Sequence, residues 1–211
     1  MARRRRKVKF SRVFILLLLI ALIFVFGYMA IKKFSSKKVS KVKEISSIKG
    51  YGYTLRADAT DYYKSLFKKL DKVLKEKDVD MDEYASLVSQ MFVADFFNLD
   101  NKISKNDVGG KQFVYTDYQG DFEKYAKDSI YKSVQNNVYG NRKQELPIVS
   151  KVTVSKKDSE SFKYGDNTDS EAYVFEFEVQ YKKNLDYQES GKLVLIHNDK
   201  KIEVASMSDN N

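Results

Sequence analysis

The chain of 211 residues has no cysteine, which removes disulfides, iron–sulfur clusters and thiol chemistry from consideration. It has one histidine, His197, so a multi-histidine metal site is excluded and any imidazole acid–base chemistry would run through that residue. Tryptophan is absent and proline occurs once, while Lys, Asn, Asp and Tyr are abundant, a usage that fits an AT-rich bacterial genome. The most informative scarcity is of one charge: no acidic residue precedes Glu44.

The whole chain carries a net charge of +9 from 38 basic and 29 acidic residues, which taken alone points to a polyanion partner. The distribution reverses that reading. Thirteen basic residues lie between Arg3 and Lys43, so residues 44–211 hold 25 basic against all 29 acidic ones, a net of −4. The run Arg3-Arg4-Arg5-Arg6-Lys7 is followed by VFILLLLIALIFVFGYMAI, Val13 to Ile31, nineteen residues without a charge. As a helix this run is roughly 28 Å long, enough to cross the hydrocarbon core of a bilayer, and it lacks the polar stripe of a core helix. The arginine cluster is therefore expected to flank a membrane and meet its headgroups, not nucleic acid. A cleavable signal has a shorter apolar region and a small-residue cleavage site, and Tyr28-Met29-Ala30 puts a bulky ring where a small residue is needed. An uncleaved anchor is expected. A short Arg-rich tail resists translocation, whereas long domains cross largely regardless of charge. The sequence thus divides into a cytoplasmic basic tail (1–12), a transmembrane helix (13–31), a Ser/Lys-rich juxtamembrane stalk (32–54), an extracytoplasmic domain (55–207) and a short tail (208–211).

Within the domain, Tyr63, Leu66, Phe67, Leu70, Val73 and Leu74 recur at helical spacing after Thr60 or Asp58 as cap. A second helix is predicted from Asp80 or Asp82, with Tyr84, Leu87, Val88, Met91, Phe92, Ala94, Phe96 and Leu99 wrapping so far round that it should be the central core helix. Its Leu87, Met91 and Phe92 are expected between the first helix and a sheet face carrying Phe175 and Phe177. A third helix is predicted over 121–138, with Phe122, Tyr125, Ile130, Tyr131 and Val134 on or near one face. Beyond Gly140 the period changes to two. Leu146, Ile148, Val152 and Val154 alternate in one strand, and Tyr173, Phe175, Phe177, Val179 and Tyr181 in another. Residues 157–170 read as a turn-rich connection, and the runs KLVLIH and KKIEVAS flank a tight turn at Asn198-Asp199. Three helices on about four antiparallel strands make an α+β domain.

Several constellations invite a chemical reading. His197 is expected at a hairpin tip, in solvent. Asp78, Asp80 and Asp82 open like a calcium loop, but the sixth and twelfth positions are Glu83 and Ser89 instead of Gly and Glu, so helix capping is the simpler role. Val108-Gly109-Gly110-Lys111 lacks the spacing and the Ser/Thr of a phosphate loop and reads as a turn before Phe113-Val114-Tyr115. Glu176 and Glu178 alternate with Phe175 and Phe177 and should face solvent. Fifteen tyrosines without special spacing single out no carboxylate–tyrosine pair. No catalytic, cofactor-binding or metal-binding residue is assigned, and no enzyme activity or cofactor is expected.

An anchor and stalk, then helices, then a curved antiparallel sheet is an order that resembles the nuclear transport factor 2-like (cystatin-like) superfamily, in particular single-pass inner-membrane assembly components of type IV secretion and conjugation machines. The resemblance lies in element order over residues 55–207, without a motif. It implies an anchored extracytoplasmic protein-binding or scaffold domain of a bacterial envelope or transfer assembly. Its partners would be the membrane and other envelope proteins, not nucleic acid, with homo-oligomerisation left open. The alternative is a small-ligand-binding or isomerase-like domain. A closed, Tyr-lined cavity with an inward carboxylate would mark the alternative, and a filled interior with an exposed apolar patch would mark the scaffold.

Overall fold

A computed structural model of the chain describes residues 42–209, which form an α+β fold. The apolar run Val13 to Ile31 and its basic flanks lie outside the described residues. Among the described residues no helix is long and apolar enough to cross a membrane.

The fold begins earlier than the sequence indicates. Strands β1 (Glu44–Ile48) and β2 (Tyr53–Arg56) pair antiparallel as a separate two-stranded sheet, where residues up to 54 were expected to be stalk. Gly50 and Gly52 turn the chain between them with φ of 87° and 74°, a region that side chains rarely adopt. Ile48, Tyr53 and Leu55 are buried. The Tyr53 hydroxyl lies 2.7 Å from that of Tyr84, which in turn accepts from the backbone N–H of Ile202. The hairpin is thereby tied to a helix and to the last strand.

Helix α1 (Asp61–Val73) is capped by Thr60, whose hydroxyl accepts from the Tyr63 N–H at 3.1 Å, and it buries the expected stripe from Tyr63 to Val73. Helix α2 (Met81–Phe96) is capped by Asp80, whose carboxylate accepts from the N–H groups of Asp82 and Glu83. It packs on α1 and on four of the strands described next, as a central core helix should. Leu87, Met91 and Phe92 are buried in one core cluster with Phe175 and Phe177. The Phe92 ring lies 5.8 Å from Phe96 and 5.7 Å from Phe122, and Phe97, one residue past the helix, reaches Phe177 at 5.8 Å. Helix α3 (Gln119–Asp128) is shorter than predicted. Ser129 hydrogen-bonds back to the Tyr125 carbonyl at 2.7 Å, which competes with helix continuation. Tyr131 then turns inward, accepting from the Gly109 N–H and donating to the Phe96 carbonyl.

The main sheet has five strands where about four were predicted: β3 (Val149–Lys156), β4 (Glu160–Tyr164), β5 (Asn167–Tyr181), β6 (Ser190–Asn198) and β7 (Lys201–Ser208). All pairs are antiparallel in the order β3-β5-β6-β7, and β4 continues the β3 side of a long bulged hairpin with β5. The stretch read as a connection therefore contains a strand. Its Phe162 and Tyr164 pack with Ala172, Val194 and Ile196 in a second apolar cluster. Leu193 and Leu195, alternating with Val194 and Ile196 on β6, belong to the main core with Phe175 and Phe177, so the two clusters lie on opposite faces of the sheet.

Candidate functional site

The residues singled out from the sequence do not converge. Asp80 is a helix cap, while Asp82 pairs with Lys156 at 2.6 Å. Among the described residues no group of three His, Asp or Glu side chains could hold a metal ion. Gly110, at φ 77°, donates its N–H to Asp95 at 2.7 Å, and a Cβ on Gly109 would stand 2.2 Å from the Asp95 carbonyl. The glycine pair is thus a turn packed tightly on α2. Lys111 pairs with Glu123, whose hydrogen bonds from Lys111 and Lys127 pull its carboxyl down to about 2. Glu176 and Glu178 are exposed as expected, Glu176 in an ion pair with Lys157 at 2.7 Å.

His197 departs from expectation. It lies on β6 and not in the turn, which Asp199 and Lys200 form. Its Nδ1 is 2.8 Å from the Asp169 carboxylate, which also accepts the His197 backbone N–H at 2.7 Å. Burial raises the Asp169 pKa, but these bonds and the Glu171 N–H outweigh it and hold the carboxyl below the usual range. The ring is 38% exposed and packs near Tyr173. Among the described residues nothing hydrogen-bonds its Nε2, so the pair lacks a nucleophile and pins the β4–β5 hairpin to β6.

Two concavities were not foreseen. The first, about 170 Å³, lies where β2, the ends of α1 and α2 and the glycine loop meet. Tyr63, Asp95, Asn98, Asn101 and Gln112 line it. Behind it Lys102, with a side chain 0% exposed, is 2.6 Å from Asp95. Arg56 donates to both Asp58 and Asp107. Burial works against the Asp95 carboxylate, yet Lys102 and the Gly110 N–H hold its pKa below the usual range. Burial, reinforced by the nearby Asp95 carboxylate, drives the Tyr63 hydroxyl well above its ordinary value. A general base working near neutrality needs a carboxyl shifted upward, and Asp95 is shifted the other way. Among the described residues every buried side-chain polar atom has a hydrogen-bond partner. The network joins the first hairpin, the loop after α2 and the helices, which is a structural task.

The second concavity is an open groove of about 1120 Å³ between α3, the β5–β6 loop and the end of β7. Tyr125, Ile130, Leu185, Tyr187 and Met207 form its apolar lining. A recess of about 250 Å³ adjoins it at Tyr125 and Met207 and adds Phe122 and Tyr118. Tyr125, expected on a core face, is 68% exposed, because Ala126 takes the inward position. One wall is the edge strand β7. Its outer side is bridged at Val204, whose carbonyl accepts from the Tyr115 N–H. Among the described residues no strand pairs with that edge at Ala205–Ser208.

No protein-family model matches the chain, and no curated protein or solved structure matches it either. A functional reading therefore rests on the groove, the network and the sequence pattern.

Proposed function

We propose that the chain is a single-pass bacterial membrane protein, anchored by Val13 to Ile31 with its N-terminus in the cytoplasm. In this reading its extracytoplasmic domain is a protein-binding scaffold of an envelope or transfer assembly, of the nuclear transport factor 2-like kind. The observation that carries the binding role is the groove around Tyr125: a large aromatic ring left in solvent beside further apolar side chains and an open strand edge. Monomeric proteins seldom expose such a surface without a use for it. The aromatic filling between α2 and the sheet supports the same reading, since it occupies the space a ligand pocket would need.

The alternative, a small-ligand or isomerase-like domain, draws on the 170 Å³ cavity with Tyr63 and Asp95. Its weakness is the ionised, cation-paired Asp95. The absence of cysteine gives a direct test of location. A cysteine introduced at exposed Lys77 should react with a membrane-impermeant maleimide on intact cells, while one replacing Arg5 should react only after lysis. The reverse pattern overturns the orientation, and equal protection of both overturns the extracytoplasmic domain.

A further inference from the structure

We infer that the groove receives an extended segment of a partner protein in which Lys or Arg stands next to a bulky apolar residue, and that this segment pairs with the open edge of β7. The inference rests on the protein-binding reading and adds the chemistry of the partner. Four charged side chains line the groove: Glu176, Asp186, Lys192 and Asp209. Glu176 pairs with Lys157 at 2.7 Å and Lys192 with Glu160 at 3.3 Å. Asp186 and Asp209 have no cationic partner within 4.0 Å among the described residues, Asp209 accepting only a neutral hydrogen bond from the Gln188 Nε2 at 2.9 Å, and both are exposed. The charge left unmatched in the groove is therefore negative.

The rings of Tyr125 and Tyr187 stand in the same groove, and a tyrosine face attracts Lys and Arg side chains as well as apolar ones. Carboxylates and tyrosine faces over an apolar floor of Ile130, Leu185 and Met207 select a cation flanked by hydrocarbon. An acidic segment would meet two aspartates without a countercharge, and a purely apolar one would bury both charges without supplying one. The edge of β7 sets the backbone form. Ala205–Ser208 spans roughly 13 Å of strand at about 3.3 Å per residue, which suits four or five residues of an added strand. The bridge at Val204 stops pairing from running further toward the β6–β7 turn.

The test is to pan a displayed random dodecapeptide library on the full-length protein in detergent micelles, then measure the selected peptides as synthetic ligands. Enriched peptides should carry Lys or Arg beside Leu, Ile, Phe or Tyr. Replacing the apolar residue should weaken binding at least tenfold, as should Tyr125→Ala, a substitution at an exposed position that leaves the fold intact. Asp186→Lys with Asp209→Lys should shift the selection toward acidic peptides. Bound peptide should also slow amide exchange at Ala205–Ser208. Enrichment of acidic or wholly apolar sequences overturns the partner chemistry. Cationic peptides that ignore Tyr125→Ala and leave the β7 amides unprotected overturn the site, though the protein could still be a scaffold through another face. If no peptide is enriched while a photocrosslinker at position 125 captures a protein in cells, the extended-segment inference fails and the scaffold reading survives. If both are negative, both fail.

Discussion

Replacing Lys102 by Met would leave Asp95 as a carboxylate in the interior without its cation. The pair is close, 2.6 Å, and the lysine side chain is fully enclosed, so solvent cannot take over its role. Breaking one side of such a pair costs about 3–5 kcal/mol, a large share of the roughly 5–15 kcal/mol that holds a domain folded. For a domain of this size that is a fall in Tm on the order of 10 °C. The pH dependence should change sign as well. In the native protein the Asp95 pKa is lowered by Lys102 and the Gly110 N–H against the opposing effect of burial. Its contribution is therefore present above the unfolded carboxylate value, near 4, and is lost as pH falls through the lower folded value. Without Lys102, burial would win and raise the pKa, so stability would be lost as pH rises and the variant would be firmer at pH 5 than at pH 7. Asp95→Asn in the Lys102→Met background keeps an acceptor for the Gly110 N–H and removes the charge, and should restore more than half of the loss. Thermal unfolding followed by circular dichroism at pH 5 and 7 reads all of this. A loss under about 1 kcal/mol with the wild-type pH profile would refute the reasoning, since buried, uncompensated charge cannot be that cheap.

Phe92→Ala should cost about 3–5 kcal/mol, because the ring is fully buried against Phe96 and Phe122, whereas Glu176→Ala removes only an exposed ion pair worth about 1 kcal/mol or less. Equally mild unfolding shifts for the two would contradict the assignment of inner and outer faces. Gly110→Ala should destabilise by more than about 1 kcal/mol, since φ is 77° and the new Cβ would meet the Phe92 ring at 2.9 Å. Gly120→Ala, in α3 with nothing within 4 Å of the new Cβ, should raise Tm, the helix gaining up to about 1 kcal/mol. The net charge of −4 over residues 44–211 predicts no general nucleic-acid affinity. Micromolar binding of DNA or RNA that weakens steeply with salt, measured by fluorescence anisotropy on a chain lacking the N-terminal arginines, would contradict it.

Features set by neighbours in sequence were legible. The Thr60 and Asp80 caps, the stripe from Tyr63 to Val73 and the outward Glu176 each follow from spacing of a few residues. The turn at Gly109-Gly110 was legible from composition. Features set by distant partners were not. Burial of Tyr53 depends on Tyr84 and Ile202, so EISSIKGYGYTLR carries only three alternating apolar residues and resembles a linker. The helical pattern past Asp128 is real, but Tyr131 satisfies Gly109 and Phe96 better by leaving the helix. Phe162 and Tyr164 alternate within a polar stretch whose strand character appears only when Val194 and Ile196 are set beside it. The groove combines residues 125–130, 185–187 and 207–209, and its unmatched charge emerges only once Glu176 and Lys192 are seen to be paired elsewhere. Lys102 and Asp95 are seven residues apart with nothing local to mark either as interior.

Site-specific photocrosslinking in living cells addresses the central claim, that the Tyr125 groove is the face by which an extracytoplasmic domain holds another protein. A photoreactive residue at position 125 should yield one discrete adduct that is reduced by Asp186→Lys with Asp209→Lys, while the same residue at exposed Lys69 on α1 should not yield it. An adduct of equal intensity from both positions, or none from position 125 while position 69 reacts, would contradict the account.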